Sequence, residues 1–396
     1  MKETKFKNTE IGEIPEDWEV RTINSFCSVK TGPFGSMLHA EDYVAKGTPI
    51  VTTEHFKNGI LPLVGKDIPQ VGIEDLKRMS SYTLTKDDIV FSRVGSVDIN
   101  ALVTVRQKGW LFSGRVLRVR PFKQTDSLYL HYGLLKHSVR SNIVSRAVGL
   151  TMASINTKIL GETELSLPPL NEQHRIASAL TSIDNLISSL GKLIEKKKNI
   201  KQGAMQQLLT GKTRLKGFNE PWVEKKLGEV CSVKRGVRVV KRNLTTDGLY
   251  PVYQNTNIPL GYSNQYNVEA NTPFVIIGGS AGQVGICRER YWAADDCAFF
   301  ACHDIYKEYL YYVLLLNQRN ILHNVRTGTI PRLDRTFLSG MLVYISSNIA
   351  EQQAIATILT KMDDEITALE AKKAKYEAIK QGMMQQLLTG KIRLIS

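Results

Sequence analysis

Several short segments contain residue types that could support catalysis. The Gly-Lys-Thr sequence at 211–213 ends like a phosphate-binding loop, but that loop needs a glycine where Gln206 stands. Three glycines within 279–285 are each three residues apart and do not match the dinucleotide-binding pattern. We therefore predict that the first segment ends a helix and that the second forms a tight turn between strands.

Two further segments could bind a base or a metal ion. The Pro-Pro pair at 168–169 is similar to the Asn-Pro-Pro-aromatic site of amino-methyltransferases, but leucines flank it on both sides. Two cysteines and a histidine lie within 297–303, but a tetrahedral metal site would need a fourth ligand. We therefore predict that the Pro-Pro pair leads into a helix and that the cysteines are buried reduced thiols without a metal. We also predict that the chain is not an enzyme.

A long internal repeat organises the sequence. Lys201–Leu215 and Lys380–Leu394 are identical at thirteen of fifteen positions and lie 179 residues apart. The match extends upstream without a gap to Glu172 and Glu351, so about 45 residues are duplicated as a block. This spacing indicates a repeated structural element rather than low complexity.

Each repeated block predicts one long helix. Apolar residues recur at alternating intervals of four and three, and neither block contains proline. The seam comprises Ile176, Leu180, Ile183, Ile187, Leu190 and Ile194 in the first copy and Ile355, Leu359, Met362, Ile366 and Leu369 in the second. A lone helix would expose this seam to water, so we expect the two helices to pack as an antiparallel coiled coil. The alternative is that each helix packs only on its own globular domain.

The sequence between the helices shows a weaker second duplication. Cys-Ser-Val-Lys occurs at 27–30 and 231–234, and the Gly-Leu-Thr loop at 149 matches the Gly-Thr-Ile loop at 328. Short β-branched runs such as IVFSRVG, GRVLRVRPF and PFVIIGGS are typical of strands. The spacing in the segments 129–144 and 309–325 predicts helices.

These patterns predict a mixed α+β fold with four segments. Two globular domains, residues 1–170 and 217–349, are joined by long helices at 171–216 and 350–396. We expect Gly211 and Gly390 to end the helices in the left-handed conformation. Antiparallel packing of two equal helices would relate the domains by an approximate two-fold axis.

The charge balance points to a polyanionic partner. Lys and Arg number 52 against 38 Asp and Glu, a formal net charge of +14. The segment 171–216 is the most basic, with nine basic and three acidic residues, although a charge run on a helix is usually a solvated face. No apolar stretch reaches the length of a membrane span, so we expect a cytoplasmic protein without a membrane partner.

With these features in place, the chain resembles the specificity subunit of type I restriction-modification systems over its whole length. The resemblance is carried by LPPLNEQHRIA at 167–177, the repeated QQLLTGK-x-RL ends, IPEDWEV at 14–20, and the loops that begin at Gly149 and Gly328. The second helix departs from the family pattern at its entrance, because 346–350 contains no Pro-Pro.

The resemblance implies two target-recognition domains, each reading one half of a split double-stranded DNA sequence. The two helices would set the distance between the half-sites and dock two methyltransferase (M) subunits, which restriction (R) subunits then join. This chain would carry no cofactor, and S-adenosylmethionine, ATP and Mg are expected in the partner subunits. A helix of about 40 residues is roughly 60 Å long, enough to separate the readers by about one to one and a half DNA turns.

The loops that follow strands are the places to look for DNA contacts, where Arg, Asn and Gln read base edges and Lys, Ser and Thr bind phosphates. In the first domain the candidates are Lys30, Thr31, Ser36, Thr53, Ser92, Arg93, Ser96 and Thr151. In the second domain they are Lys234, Arg235, Arg238, Gln254, Asn255, Ser280, Gln283, Arg326, Thr329 and Arg332. Because the two sets differ, we expect an asymmetric target.

The repeated helix ends are candidates for docking the methyltransferase subunits. Two equivalent halves of one docking surface would have to recur in sequence, whereas DNA-reading loops are free to diverge. The apolar residues of the repeat are Met205, Leu208, Leu209, Met384, Leu387 and Leu388. Their role is either to hold the partner or to pack one helix end on a domain.

Two other function classes remain open from the sequence. The chain could be the recognition subunit of a methyltransferase-only or combined nuclease-methyltransferase enzyme, a type II-like system of related organisation. The neighbouring genes would separate that alternative from a type I system. A catalytic role is disfavoured because no cofactor-binding or metal-binding motif is found.

Overall fold

The computed structural model describes residues 4–33, 39–65, 67–149, 151–240, 242 and 244–395. The chain divides into two compact units: unit 1 comprises Met1–Ser189 with Lys373–Ser396, and unit 2 comprises Leu190–Lys372. Each unit therefore holds one globular region and parts of both repeated blocks. Within the described residues, no helix has both the length and the apolar character that crossing a bilayer requires.

Unit 1 begins with a region of short strands and helices. Its strands are β1 (Phe6–Thr9), β2 (Gly12–Pro15), β3 (Glu19–Thr22), β4 (Cys27–Thr31), β5 (Tyr43–Val44), β6 (Thr48–Val51), β7 (Gln70–Val71), β8 (Ile89–Ser92), β9 (Asn100–Leu102), β10 (Leu111–Phe112), β11 (Val116–Pro121) and β12 (Glu164–Leu167). Its helices are α1 (Ile23–Phe26), α2 (Ile73–Arg78), α3 (Ser127–Leu134), α4 (His137–Ser145) and α5 (Thr157–Gly161), with short 3-10 helices at Ala40–Asp42, Thr53–Phe56, Ser80–Tyr82 and Val105–Gln107.

The main sheet of unit 1 is antiparallel, with strand order β4-β11-β8-β9. Side chains of β8 alternate between two cores, as strand geometry requires. Ile89 and Phe91 pack in the core that contains Leu130 of α3, whereas Val90 packs in a second core with Phe112 of β10. The apolar run IVFS is therefore buried on both faces, which explains why it lacks polar alternation.

After the first long helix comes the globular region of unit 2. Its strands are β13 (Trp222–Lys226), β14 (Cys231–Arg235), β15 (Tyr250–Tyr253), β16 (Gly261–Ser263), β17 (Pro273–Ile276), β18 (Val284–Ile286), β19 (Trp292–Ala293), β20 (Cys297–Cys302) and β21 (Leu342–Ser346). Its helices are α7 (Leu227–Val230), α8 (Lys307–Leu316), α9 (Gln318–His323) and α10 (Arg335–Gly340). The two long helices, α6 (Leu170–Leu208) and α11 (Ile349–Leu387), are called αL1 and αL2.

The two units share one core topology, which confirms the predicted duplication and the mixed α+β fold. The main sheet of unit 2 has the order β14-β20-β17-β18, which repeats β4-β11-β8-β9 strand for strand. The predicted helices at 129–144 and 309–325 each form a pair, α3 with α4 and α8 with α9. The second sheets differ, because unit 1 has the order β10-β6-β7-β5 and unit 2 has β16-β15-β19.

The long helices begin and end for identifiable reasons. αL1 starts directly after the Pro-Pro pair at 168–169, as expected of a helix lead-in. αL2 has no such pair, and instead the Asn348 side chain accepts hydrogen bonds from the first-turn N–H groups of Ala350 at 2.8 Å and Glu351 at 3.2 Å. Beyond the helix ends, Gly211 has φ +67° and Gly390 has φ +69°, which confirms the predicted left-handed residues.

The predicted antiparallel pairing of αL1 and αL2 is confirmed within each unit. In unit 2, Lys198 Nζ lies 2.7 Å from Glu370 Oε1 and Lys201 Nζ lies 2.5 Å from Asp363 Oδ1. From the first ion pair to the second, the residue number rises along αL1 and falls along αL2, as it does between antiparallel helices. In unit 1, Lys380 Nζ lies 2.7 Å from Asp184 Oδ1. This pair is the counterpart of Lys201–Asp363, with the lysine now on αL2 and the aspartate on αL1.

Each unit contains a buried glutamate that binds an arginine from the other repeated block. In unit 1, Glu172 is 2% exposed and accepts hydrogen bonds from Trp18 Nε1–H at 3.0 Å and from Arg393 at 2.8 Å. Arg393 also binds Asp17, and this guanidinium lowers the pKa of the Asp17 carboxyl. The segment that follows αL2 is thereby fixed to the start of αL1.

Unit 2 repeats this arrangement with exchanged helices. Glu351 is fully buried and accepts hydrogen bonds from Trp222 Nε1–H at 3.2 Å and from Arg214 Nε–H at 2.7 Å. The Ser346 hydroxyl donates to the same carboxylate at 2.5 Å. Each repeat of the sequence therefore supplies the glutamate of one unit and the arginine of the other.

Candidate nucleic-acid interface

In unit 1 a short hairpin, residues 148–154, carries the loop that contains Thr151. Val148 and Ser154 exchange backbone hydrogen bonds of 2.9 and 2.8 Å. Gly149 has φ +115°, and a Cβ there would lie 2.3 Å from the carbonyl oxygen of Met152, so glycine is required at this position. Thr151 is exposed at the tip of the hairpin, and Leu150 lies outside the described residues.

The unit 1 hairpin is joined to the loop that follows β8. The Gly95 N–H donates to the Ala153 carbonyl at 2.8 Å, and the Ile155 N–H donates to the Arg93 carbonyl at 2.9 Å. The Arg93 side chain donates from Nη1 to Thr31 Oγ1 at 3.2 Å and to the Gly114 carbonyl at 2.9 Å. Of the predicted DNA contacts in this unit, Thr31, Arg93 and Thr151 therefore belong to one connected set of loops.

The remaining unit 1 candidates lie in different surroundings. Ser96 is exposed and lies two residues after Val94, which forms a β-bridge with Ser154 of the hairpin. Ser92 is only 3% exposed and its hydroxyl donates to the Val94 carbonyl, so the structure places it in the interior. Thr53 begins a 3-10 helix after β6. Ser36 lies outside the described residues.

Lys30 is held on the sheet surface rather than at the hairpin. Its ammonium lies 4.3 Å from the centre of the Tyr82 ring and donates to the Ser81 carbonyl at 3.1 Å. Partial burial, together with the nearby Arg118 and Arg120 charges, lowers its pKa. Arg120 is itself paired with Asp88, at 2.6 Å between Nε and Oδ1.

Unit 2 contains the equivalent hairpin at residues 326–332. Arg326 and Arg332 exchange backbone hydrogen bonds of 2.8 and 3.1 Å, and Thr329 is exposed at the tip. The Gly279 N–H donates to the Pro331 carbonyl at 3.2 Å, and the Leu333 N–H donates to the Ile277 carbonyl at 3.0 Å. These are the contacts of the first hairpin, now made with the loop after β17.

Several predicted DNA contacts of unit 2 meet beside this hairpin. The Ser280 N–H donates to the Asn255 carbonyl at 2.9 Å, and a Cβ on Gly279 would lie 2.8 Å from the Asn255 Cβ. The Gln283 side-chain oxygen accepts from the Asn257 N–H at 3.2 Å. Asn255, Ser280 and Gln283 therefore form one cluster with Arg326, Thr329 and Arg332.

The Asp296 carboxylate and the Asp295 backbone carbonyl orient two basic side chains of unit 2. Arg332 Nη1 lies 3.3 Å from Asp296 Oδ1, and Arg235 Nε–H donates to the carbonyl of the adjacent Asp295 at 2.7 Å. Arg235 is thereby placed near the hairpin cluster. The other candidates, Lys234, Arg238 and Gln254, lie in or directly after β14 and β15 and have no contact with the hairpin among the described hydrogen bonds and ion pairs.

The hairpin contacts correct the predicted alignment of the two loops. Sequence matching placed Gly149 opposite Gly328, but Val148 pairs with Ser154 as Arg326 pairs with Arg332. Thr151 therefore corresponds to Thr329, one position away from the match by glycine. Glycine is a poor guide here because Gly328 does not have the positive φ that makes Gly149 necessary.

The six apolar residues of the repeated helix ends lie inside the units. Their exposed fractions range from 1% for Leu209 and Leu388 to 9% for Met384. Met205, Leu208 and Leu209 belong to the core of unit 2, and Met384, Leu387 and Leu388 belong to the core of unit 1. The structure thus supports the packing role, and a docked partner would contact other residues of these segments.

Four of the five cysteines are buried free thiols, and the fifth, Cys302, is partly buried. Cys297 is fully buried, and burial raises its pKa well above the usual value for a thiol. The thiol group of Cys302 has a pKa of about 12 for the same reason. Among the residues the structure describes, no group of three His, Cys, Asp or Glu side chains could hold a metal ion.

Comparison with known proteins gives the same assignment along the whole chain. Residues 15–202 and 219–381 each match the family profile described as the type I restriction modification DNA specificity domain. A putative type I restriction enzyme MjaX specificity subunit from Methanocaldococcus jannaschii is 27% identical over 99% of this chain and 98% of its own length. The MjaVIII specificity subunit from the same organism is 28% identical over 99% of this chain and 97% of its own length.

Solved structures show the same fold. The S subunit of a type I restriction-modification system from M. genitalium aligns with a TM-score of 0.68 at 19% identity, covering 93% of this chain and 96% of its own. A chain from a study of complex assembly and conformational transition in the type I R-M system aligns with a TM-score of 0.54 at 14% identity, covering 96% and 99%.

Proposed function

The chain belongs to the family of type I restriction-modification DNA specificity subunits, and we propose that unit 1 and unit 2 each read one half of a split double-stranded DNA target. The observation that carries this proposal is the hairpin that occurs in both units. In unit 1 it is bonded to the loop that follows β8, and in unit 2 to the loop that follows β17. The scaffold is the same, but the side chains around it differ. An asymmetric target follows from that difference.

In unit 2 the reading surface is the hairpin cluster of Asn255, Ser280, Gln283, Arg326 and Arg332. Arg332 is the best candidate for a base contact, since its guanidinium is oriented by Asp296 and a planar fork matches the two acceptors of guanine. Threonine hydroxyls at the tips and nearby lysines suit phosphate contacts, which fix register without reading sequence.

Replacing Arg332 with alanine is the experiment that tests this assignment. We expect discrimination at one position of the second half-site to fall by about 1–3 kcal/mol, the value of one bidentate base contact. Competition binding to duplexes with single substitutions in either half-site measures it. Arg335→Ala, an exposed arginine on α10 of the same unit, serves as the matched control.

The two possible failures of this experiment have different meanings. Weaker binding with unchanged base preference would assign Arg332 to a phosphate. A changed preference in the first half-site would contradict separate reading by the two units.

We further propose that the repeated helix ends dock two methyltransferase subunits and that this chain itself is non-catalytic. Gln202, Gly203 and Gln206 recur as Gln381, Gly382 and Gln385, and all six are exposed. A Cβ on Gly203 or Gly382 would meet nothing within 4 Å, so packing inside the chain does not explain these glycines. An external surface that approaches the helix backbone closely would.

The chemistry would then reside in the partners. S-adenosylmethionine would bind to the methyltransferase subunits, and ATP and Mg to restriction subunits that join the complex. The alternative, a methyltransferase-only or type II-like enzyme that uses the same recognition chain, differs in its partners and not in how this chain reads DNA.

A further inference from the structure

We propose that Met152 and Ile330 act as apolar wedges, each inserting between neighbouring base pairs and unstacking that step when its hairpin meets DNA. The inference rests on the proposed function, because it concerns the same DNA-reading surfaces. It adds a role for Met152 and Ile330, whose side chains are uncharged and apolar. They were therefore absent from the DNA contacts expected from sequence.

The two side chains are exposed at the same place in both hairpins. Met152 is 58% exposed and Ile330 is 57% exposed. Each directly follows the tip threonine, and each lies two residues before the residue that pairs across the base of the hairpin. Single exposed apolar residues are common, but coincidence at the equivalent position of two otherwise divergent loops calls for a shared reason.

The hairpins hold these side chains outward rather than leaving them free to collapse. Each hairpin is closed by two backbone hydrogen bonds and tied by two more to the loop after β8 or β17. In the first hairpin, Gly149 lies so close to the Met152 carbonyl oxygen that a Cβ would not fit between them. A side chain on a braced turn can enter a gap between base pairs without the further cost of ordering its backbone.

The surroundings favour nucleic acid over an apolar partner. Ile330 stands between Arg326 and Arg332, both exposed, and the nearest acidic partner of Arg332 is Asp296 at 3.3 Å. The first hairpin is joined to the loop of Arg93. Val148, at the base of the first hairpin, is also exposed. A bilayer or a protein groove would need a continuous apolar face, whereas an apolar tip beside cations and hydroxyls matches a stacked, polyanionic duplex.

The chemistry of the complex gives the wedge a use. Methionine and isoleucine are among the side chains that proteins insert between base steps, where they replace base-base contacts with apolar ones. An enzyme that methylates a base must first take that base out of the stack. A step already opened by the recognition chain would lower the cost of that extrusion.

Unstacking is tested with the full-length chain alone, so that base extrusion by a methyltransferase does not contribute. The duplex carries the split target with thymines at all unread positions and 2-aminopurine in place of adenines within each half-site. We expect binding to increase permanganate reactivity or 2-aminopurine fluorescence at one step beside each half-site. Met152→Ala should abolish the increase at the first half-site only, and Ile330→Ala at the second only.

Conservative variants separate a wedge from a structural role. Met152→Leu and Ile330→Leu keep an apolar side chain and should retain the signal, whereas Met152→Gln has similar length but a polar end and should lose it. Sequence-specific binding without any unstacking, or a signal that survives both alanine variants, would overturn the wedge and leave half-site reading intact. A chain that does not bind the split target at all would contradict both proposals.

Discussion

Replacement of Arg393 with leucine is expected to destabilise unit 1 by about 3–5 kcal/mol, because it leaves a buried carboxylate without its cationic partner. Glu172 is 2% exposed, so water cannot take the place of the guanidinium. Trp18 would remain as a hydrogen-bond donor, but it carries no charge. Urea unfolding, followed by hydrogen exchange of the unit 1 amides, measures the loss.

Two variants show whether the buried charge is the cause. Arg106→Leu removes an exposed arginine of the same unit and should change stability by no more than about 0.5 kcal/mol. Glu172→Gln combined with Arg393→Leu removes both charges and should be less harmful than Arg393→Leu alone. Equal stability of Arg393→Leu and Arg106→Leu would show that the ion pair does not hold the end of αL2 in place.

Replacement of Gly203 and Gly382 with arginine is expected to abolish assembly with the methyltransferase while leaving the chain folded. Arginine is a better helix former than glycine by roughly 0.8 kcal/mol, and the space beside both positions is open. A long charged side chain would nevertheless separate two closely packed surfaces. Mass measurement of the mixed subunits should find no complex for the double variant.

The single variants make the docking test sharper. Gly203→Arg or Gly382→Arg alone should give a complex with one methyltransferase subunit instead of two. Gly203→Ala adds only a methyl group and should weaken binding far less than arginine does. If the double arginine variant still bound two methyltransferase subunits, the repeated helix ends could not be the docking surface.

The long helices were predictable from sequence because their signal is local and repeated. A seam such as Ile176 to Ile194 has few interpretations other than a paired helix, and Gly211 and Gly390 mark the ends through their backbone conformation alone. The strands β8, β11 and β17 were equally readable from their apolar runs.

The contacts that divide the chain into units were not predictable in this way. Arg214, at the end of the first repeat, binds Glu351 in unit 2, and Arg393, at the end of the second repeat, binds Glu172 in unit 1. Sequence identity between the repeats is the same whether the ends pack on their own domain or on the opposite one. Only the three-dimensional contacts distinguish these arrangements.

The arrangement of the proposed reading surface was predictable only in part. The Asn255 and Ser280 backbones are joined by a hydrogen bond beside the hairpin of Arg332, although the two residues follow strands of different sheets. Ser92, in contrast, is turned inward, since it ends a strand that is buried on both faces. Residue type and position after a strand indicate candidate loops but do not tell which of their side chains point outward.

The most direct test of separate reading is to determine the methylated motif before and after exchange of one globular region. Residues 217–349 would be replaced by those of another family member, with both long helices unchanged, and methylation-sensitive sequencing of the host genome would report the motif. We predict a split, asymmetric motif in which the exchange alters one half and leaves the other half unchanged. A motif that changes in both halves, or one that is continuous, would contradict reading by two independent units.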